Sequence, residues 1–414
     1  YMRLVAIGAL AGIAFTAPTG SEATASNHKT KIHAPDTASA LDPAPEQLSD
    51  VEYGCKSWSV QKCNLLDFFD QVRVCGLMVL KDGKIALEIY RDELPLSSKD
   101  VCADLDHPAN NATRPYGIAS VAKSITSTLL GFALADQARL SNERIDLSSL
   151  QKPVDDILTY LASDASAGGY SGVPLDLVLR MRSGAAFNEF GPPHDDDRIY
   201  SQVVEPASRT KTFAEFAQEA RPKSHGKGRF NYAGLNTAVV ALLIQELTGQ
   251  SLGEYLETKI WKPLGMTEDA SWKIDKSGTP AAYCCFEATI PDLARFGQFV
   301  LSHGKDATGN QLLPEEWFDV ATQRLPQLDD AIPWLNPSHN PGCPLEYRYQ
   351  WWLFREPRRD FTAVGIAGQF IHVMPDDRVV IVQVSDWGKW DDGDRRECTS
   401  FRVHEAIAKA LRHP

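Results

Sequence analysis

Two apolar runs, Val72–Leu80 and Ile85–Tyr90, flank the polar stretch Lys81-Asp82-Gly83-Lys84. Asp-Gly between apolar runs suits a tight turn, so the pair predicts a β-hairpin. From Ser120 the pattern changes. Val121, Ile125, Leu129 and Phe132 recur at helical spacing and predict a long helix. Shorter helical patterns follow at Asp176–Met181, Thr212–Ala220, Thr237–Leu247 and Pro291–Leu301. Strand-like runs return at Gln350–Phe354, Phe370–Met374 and Arg378–Val384, with Pro375-Asp376-Asp377 turning between the last two. The chain closes on a helical pattern, Arg402–Leu411. Strands at both ends and helices between them predict an α+β fold: an antiparallel sheet built from both chain ends, with flanking helices and a helical insertion lobe. The sheet lobe takes about residues 49–135 and 270–414, and the helical lobe about 136–269.

The first residues follow a different logic. Arg3 precedes a charge-free stretch, Leu4–Ala17, and Ala23-Thr24-Ala25 supplies small residues for cleavage. Such a stretch is short for a membrane span and suits a signal peptide. Residues 1–25 are therefore expected to be a leader, 26–48 (rich in Ala, Ser, Thr, Asp and Pro) a flexible lead-in, and 49–414 the folded domain. The protein is expected to be secreted or periplasmic, with no stable membrane span after processing.

Composition changes the picture in two places. The 42 basic and 54 acidic side chains leave a net charge of −12, which repels phosphate backbones and argues against nucleic acid as a partner. Eight cysteines, Cys55, Cys63, Cys75, Cys102, Cys284, Cys285, Cys343 and Cys398, fit an exported chain. Their pairing stays open from sequence, although four of them within residues 55–102 suggest local bridges. Paired C-x-x-C spacings and a nearby His-rich partner are lacking, so a zinc site is not expected.

Most catalytic motifs are missing: no phosphate loop, no G-x-G-x-x-G, no H-E-x-x-H and no G-x-S-x-G elbow. One candidate survives in Ser120-Val121-Ala122-Lys123. Residues i and i+3 share a helix face, so Lys123 can reach the Ser120 hydroxyl. The helix start adds positive potential beside that oxygen. Burial of an amine favours its neutral, proton-accepting form, which a general base needs. S-x-x-K alone is unspecific: the chain holds seven, starting at Ser26, Ser59, Ser120, Ser149, Ser208, Ser224 and Ser302. Only Ser120 opens a long apolar helix, with no other charge between Lys123 and Asp136. The competing reading is a lysine whose stem packs in the core while its head reaches water.

Ser120-Val121-Ala122-Lys123 with the helix behind it resembles the serine β-lactamase and penicillin-binding superfamily. Four further stretches extend the resemblance over about residues 65–410: Leu177–Gly184, Arg229-Phe230-Asn231-Tyr232, Ala288–Gly297 and Gly365-Ile366-Ala367-Gly368-Gln369. Cys284-Cys285 and the G-x-x-G-Q form of the last stretch resemble the 6-aminohexanoate-dimer hydrolases and related carboxylesterases. The resemblance implies Ser120 as acylated nucleophile, Lys123 as its base and Tyr232 as the shared general acid/base. It implies an oxyanion hole from the backbone N–H groups of Ser120 and Gln369, and no cofactor.

Two departures matter. Ile366 stands where the superfamily's third motif has a lysine that holds a substrate carboxylate, and Gly234 stands where its second motif has an asparagine. Asn236 is the nearby candidate to replace it. These positions, with Gly368, are expected to line the substrate. Loss of both grips argues against β-lactams and D-alanyl-D-alanine peptides and for a small ester or amide. The acidic run Asp195, Asp196 and Asp197 is a candidate to hold a substrate amine, against the plainer reading of a solvated loop. The alternatives are a β-lactamase or D-alanyl-D-alanine carboxypeptidase, and a catalytically silent scaffold or penicillin-type sensor. Oligomeric state is not legible.

Overall fold

A computed structural model describes residues 29–43, 51–54, 62–96, 101–102, 107–140, 147–162, 168–187, 211–222, 226–322, 343, 345–354, 357–388 and 393–412. Residues 1–25, expected to be a leader, and the acidic run Asp195–Asp197 lie outside these residues. The hairpin forms as the Asp-Gly pair predicts, from Val74–Lys81 and Lys84–Tyr90, with φ of 54° at Asp82 and 79° at Gly83. Its first strand pairs antiparallel with Val379–Ser385, near the other end of the chain, placing Val79 opposite Ile381. Beyond that strand come Gln369–Met374, Phe361–Gly365, Trp351–Phe354 and Leu345–Arg348, completing a seven-stranded antiparallel sheet. The sheet built from both termini is thus observed. Leu345–Arg348 and Phe361–Gly365 are strands that the apolar pattern did not reveal, because each is short and lacks a clear alternation.

The sheet is covered on both faces, which explains why its central strands are mostly apolar, with only a few buried polar positions such as His372 and Gln383. Met78, Leu80, Ile371 and Val380 face a core shared with the helices Val121–Leu140 and Ile290–Leu301. Leu77, Val79, Phe370 and Ile381 face the opposite core, with Phe68, Phe69, Phe401 and Ile407. The helix Ile290–Leu301 is started by Thr289, whose hydroxyl accepts from the Asp292 N–H. The Asp292 carboxylate in turn takes the Thr267 and Glu268 N–H groups, so its burial is fully compensated.

One expectation is corrected. Residues 26–48 are not a flexible lead-in throughout: Lys29–Ile32 is a strand on the edge of a second, four-stranded sheet. It pairs with Ala270–Lys273, which continues to Phe286–Ala288 and Tyr116–Gly117. Ile32 is buried in the main core, and ion pairs Lys29–Glu287 and Lys31–Asp269 fix the strand. The segment is polar in composition, and its one buried side chain gives no period to detect. Disulfides join Cys75 to Cys102, Cys284 to Cys285 and Cys343 to Cys398. Cys63 is also disulfide-bonded. Among the described residues, no helix is long and apolar enough to cross a membrane.

Candidate active site

The helix Val121–Leu140 is buried on all sides from Val121 to Ala135, including Ser124, Thr126, Ser127 and Thr128. Those hydroxyls are satisfied by carbonyls. Ser124 and Ser127 donate to the Gln350 and Tyr349 carbonyls at 2.6 and 2.7 Å, and Thr126 donates to Ala282 at 3.0 Å. The helix is therefore bolted to two loops, and these loops carry the site.

Ser120 stands just before the first turn. Ala119, ahead of it, has φ 47°, a left-handed conformation that costs a non-glycine residue on the order of 1 kcal/mol. The Lys123 N–H donates to the Ser120 carbonyl at 3.0 Å, tying the serine to the helix start. Lys123 is 1% exposed. Its Nζ donates to Ser120 Oγ at 2.9 Å and to the Tyr283 carbonyl at 3.0 Å. The amine also lies 4.6 Å from the centroid of the Tyr232 ring and 5.8 Å from that of Tyr283. Lys123 thus points inward to the serine, and the reading of a stem-buried, head-solvated lysine is not what is observed.

Tyr232 is positioned by the Leu177–Gly184 stretch. The Asn231 N–H donates to the Met181 carbonyl at 2.7 Å, and Arg182 exchanges hydrogen bonds with Gly228. Met181, at φ 57°, turns the chain so that its sulfur also accepts from the Ala233 N–H. On its other side the Tyr232 ring packs against Tyr347 and Trp352, each with centroid 5.7 Å away. Phe230 extends this aromatic wall at 5.5 Å from Tyr347.

Gly234 opens the helix Gly234–Thr248, and a Cβ there would lie 2.9 Å from the Tyr283 ring. Tyr283 fills the volume that a side chain at 234 would need, which accounts for the departure noted in the sequence. Asn236 is 1% exposed, accepts from the Tyr170 hydroxyl at 3.0 Å and approaches the Met181 sulfur at 3.4 Å. Burial pushes the Tyr170 phenol well above its ordinary ionisation, so it serves as a neutral donor.

The turn after Phe361–Gly365 meets the backbone just ahead of the serine, at Ile118 and Ala119. A Cβ on Gly365 would lie 2.4 Å from the Ile118 carbonyl, so only glycine lets the two backbones approach this closely. Ile366 stands 43% exposed at the tip, and Ala367 and Gly368 follow with φ 64° and 89°. Gln369 resumes the strand opposite Gly365. Its side-chain amide donates to the Ser385 carbonyl at 2.7 Å, which fixes the backbone at this point. A cavity of about 340 Å³ opens beside it, lined by Arg114, Tyr116, Gly117, Gln369, Ser385 and Asp386 among others. The sequence reading missed Tyr283, Tyr347 and Trp352. Tyr283 precedes the Cys284-Cys285 pair, a local signal, whereas Tyr347 and Trp352 carried none.

These features define a member of a known family. Residues 69–398 match the Beta-lactamase family, and the chain belongs to it. It is 27% identical over 288 residues to the 6-aminohexanoate-dimer hydrolase of Paenarthrobacter ureafaciens, a match covering 65% of this chain and 65% of that protein. A structure described as a putative 6-aminohexanoate-dimer hydrolase from Bacillus anthracis superposes with TM-score 0.71 at 24% identity, over 93% of this chain and 91% of the other. A family VIII carboxylesterase superposes with TM-score 0.59 at 14% identity, over 84% of this chain and 95% of the other. The last two likenesses speak for the fold.

Proposed function

We infer that the protein is a serine hydrolase that cleaves a small ester or amide through an acyl-enzyme. The observation that carries this reading is the 2.9 Å hydrogen bond from the buried Lys123 Nζ to Ser120 Oγ at the start of a helix. In the neutral form the amine accepts the Ser120 proton as Oγ attacks the substrate carbonyl. The oxyanion that forms is held by the Ser120 and Gln369 backbone N–H groups, a reading supported by the close approach of Gly365 to the Ile118 carbonyl. Tyr232 passes a proton to the departing amine or alkoxide. Water then attacks the acyl-Ser120 ester, the same groups run in reverse, and the acid is released. The likeness to the 6-aminohexanoate-dimer hydrolase of Paenarthrobacter ureafaciens supports an amide as one substrate type, and the carboxylesterase neighbour is consistent with esters.

The exposed apolar Ile366 beside the oxyanion position favours an uncharged acyl group over one bearing a carboxylate. A basic substrate end would suit the acidic Asp195–Asp197 run. The substrate would enter between the sheet lobe (about 49–135 and 270–414) and the helical lobe (about 136–269). Export through the leader at 1–25 is supported by the disulfides, which persist in oxidising compartments. The test is covalent capture. A fluorophosphonate should add one mass increment to the peptide holding Ser120, and p-nitrophenyl esters should turn over far faster than nitrocefin. Efficient nitrocefin turnover would instead support a β-lactamase, and no labelling would support a silent scaffold.

A further inference from the structure

The geometry points to the Cys284–Cys285 disulfide as a positioning device for Lys123, whose reduction turns the enzyme down. This inference rests on the serine-hydrolase reading above. The segment 281–285 is held through five successive carbonyls. Ala281 and Cys284 accept from the buried Trp272 indole at 3.0 and 2.8 Å, and Cys285 accepts from the Lys273 N–H at 3.1 Å. Between them, Ala282 accepts from Thr126 and Tyr283 from Lys123, both at 3.0 Å. Thr126 and Lys123 are three residues apart on one helix face, so this segment and the catalytic helix face each other across two matched hydrogen bonds.

A bond between adjacent cysteines closes a small ring through their shared peptide and removes most of its torsional freedom. Cys285 lies at φ 63°, a left-handed conformation that a non-glycine side chain leaves readily when free. The ring keeps it there. Opening the ring takes two electrons and two protons. A phosphine supplies the electrons, becomes the phosphine oxide with oxygen from water, and leaves two thiols. Cys285 can then relax, and the Tyr283 carbonyl turns with it. Its ring, wedged against Gly234 and 5.7 Å from that of Phe213, must move too. Lys123 loses the acceptor that aims it at Ser120, and a displacement of about 1 Å at a reacting group can cost up to about a hundredfold in rate. Both cysteines are half-buried and within a reductant's reach, whereas the Cys343–Cys398 bridge is buried at both ends and Cys75–Cys102 at one, so the released thiols must be identified.

The test uses the full chain as a Cys284→Ser/Cys285→Ser variant and, separately, wild-type protein treated with phosphine and alkylated. Peptide mass confirms which thiols were released. Hydrolysis of p-nitrophenyl butyrate is measured per site titrated with fluorophosphonate. The expected result is a kcat per site lower by about tenfold or more with KM within about twofold, because aiming the base affects chemistry and not uniform binding. A purely structural bond would lower the melting temperature and the titratable fraction but leave kcat per site unchanged, and that result overturns the inference. If the variant does not fold, the alkylated wild type carries the same readout. Wild-type protein that fails to label at Ser120 overturns the serine-hydrolase reading, and this inference with it.

Discussion

Replacing Lys123 by Met separates chemistry from stability in one substitution. The apolar stem of the lysine is kept and the amine is removed. The hydrogen bonds to Ser120 Oγ at 2.9 Å and to the Tyr283 carbonyl at 3.0 Å vanish. The orphaned carbonyl costs about 1–3 kcal/mol, since it is buried away from water. Loss of the contact with the Tyr232 ring costs up to about 2 kcal/mol more if the amine is charged. Against these stands relief of holding an amine in a site where Lys123 is only 1% exposed. The opposing terms are of similar size, so the variant should fold and melt within a few degrees of the wild type. Activity behaves differently. A general base contributes about 10²–10⁴-fold, or roughly 3–5 kcal/mol of barrier, and methionine has no basic atom to replace it. Hydrolysis of p-nitrophenyl butyrate followed at 400 nm (about the p-nitrophenolate band), paired with circular-dichroism melts, measures both quantities. Since Ser120 and Lys123 act as a unit, adding Ser120→Ala to Lys123→Met should cost little more. A folded Lys123→Met protein keeping more than about a tenth of wild-type kcat would refute the assignment.

Other consequences follow from the same geometry. Tyr232→Phe should reduce amide hydrolysis by about a hundredfold or more but p-nitrophenyl esters far less, because p-nitrophenolate leaves without a proton; equal losses on both would sink its role as proton donor. Gly365→Val should force its new Cβ onto the Ile118 carbonyl, 2.4 Å away, destabilising by about 1–3 kcal/mol and slowing fluorophosphonate labelling; an unchanged labelling rate would show that this approach does not shape the site. The buried His372–His404 pair should make the fold acid-sensitive. His404 Nε2 faces the Gln383 amide oxygen at 2.9 Å, so it carries the proton there and its Nδ1 accepts from His372 Nδ1 at 3.1 Å. Burial lowers both, His404 to about 3; the neighbouring His404 adds to the shift at His372, and Arg358 disfavours the charge on each. The unfolded chain therefore binds more protons between about pH 6.5 and 3, and stability falls as pH drops through that window, by up to about 1.4 kcal/mol per pH unit for each histidine. Urea melts from pH 7 to 4 that show no such slope, or the same slope in a His404→Gln variant, would contradict this.

Local chemistry determined a good part of this protein from sequence alone. Asp82-Gly83 specifies its turn whatever surrounds it, and a helix beginning at Ser120 places Lys123 one turn on by helical geometry. Apolar runs such as Val379–Val382 announce strands buried on both faces, because consecutive side chains there meet core on either side. What the sequence could not decide depends on partners far away along the chain. Lys29–Ile32 became a strand only by pairing with Ala270–Lys273, and its composition read as a linker. Gly234 looked like a missing asparagine until Tyr283 was found filling its space, and Gly365 showed its purpose only against the Ile118 carbonyl. The eight cysteines implied bridges without naming them; packing chose Cys75–Cys102 and Cys343–Cys398, and adjacency allowed Cys284–Cys285. Periodicity and turn preferences act over a few residues and can be read in one dimension. Which backbones come close enough to exclude a side chain, and which carbonyl takes the lysine's proton-bearing nitrogen, is set by contacts between segments more than a hundred residues apart, and only the folded chain brings those together.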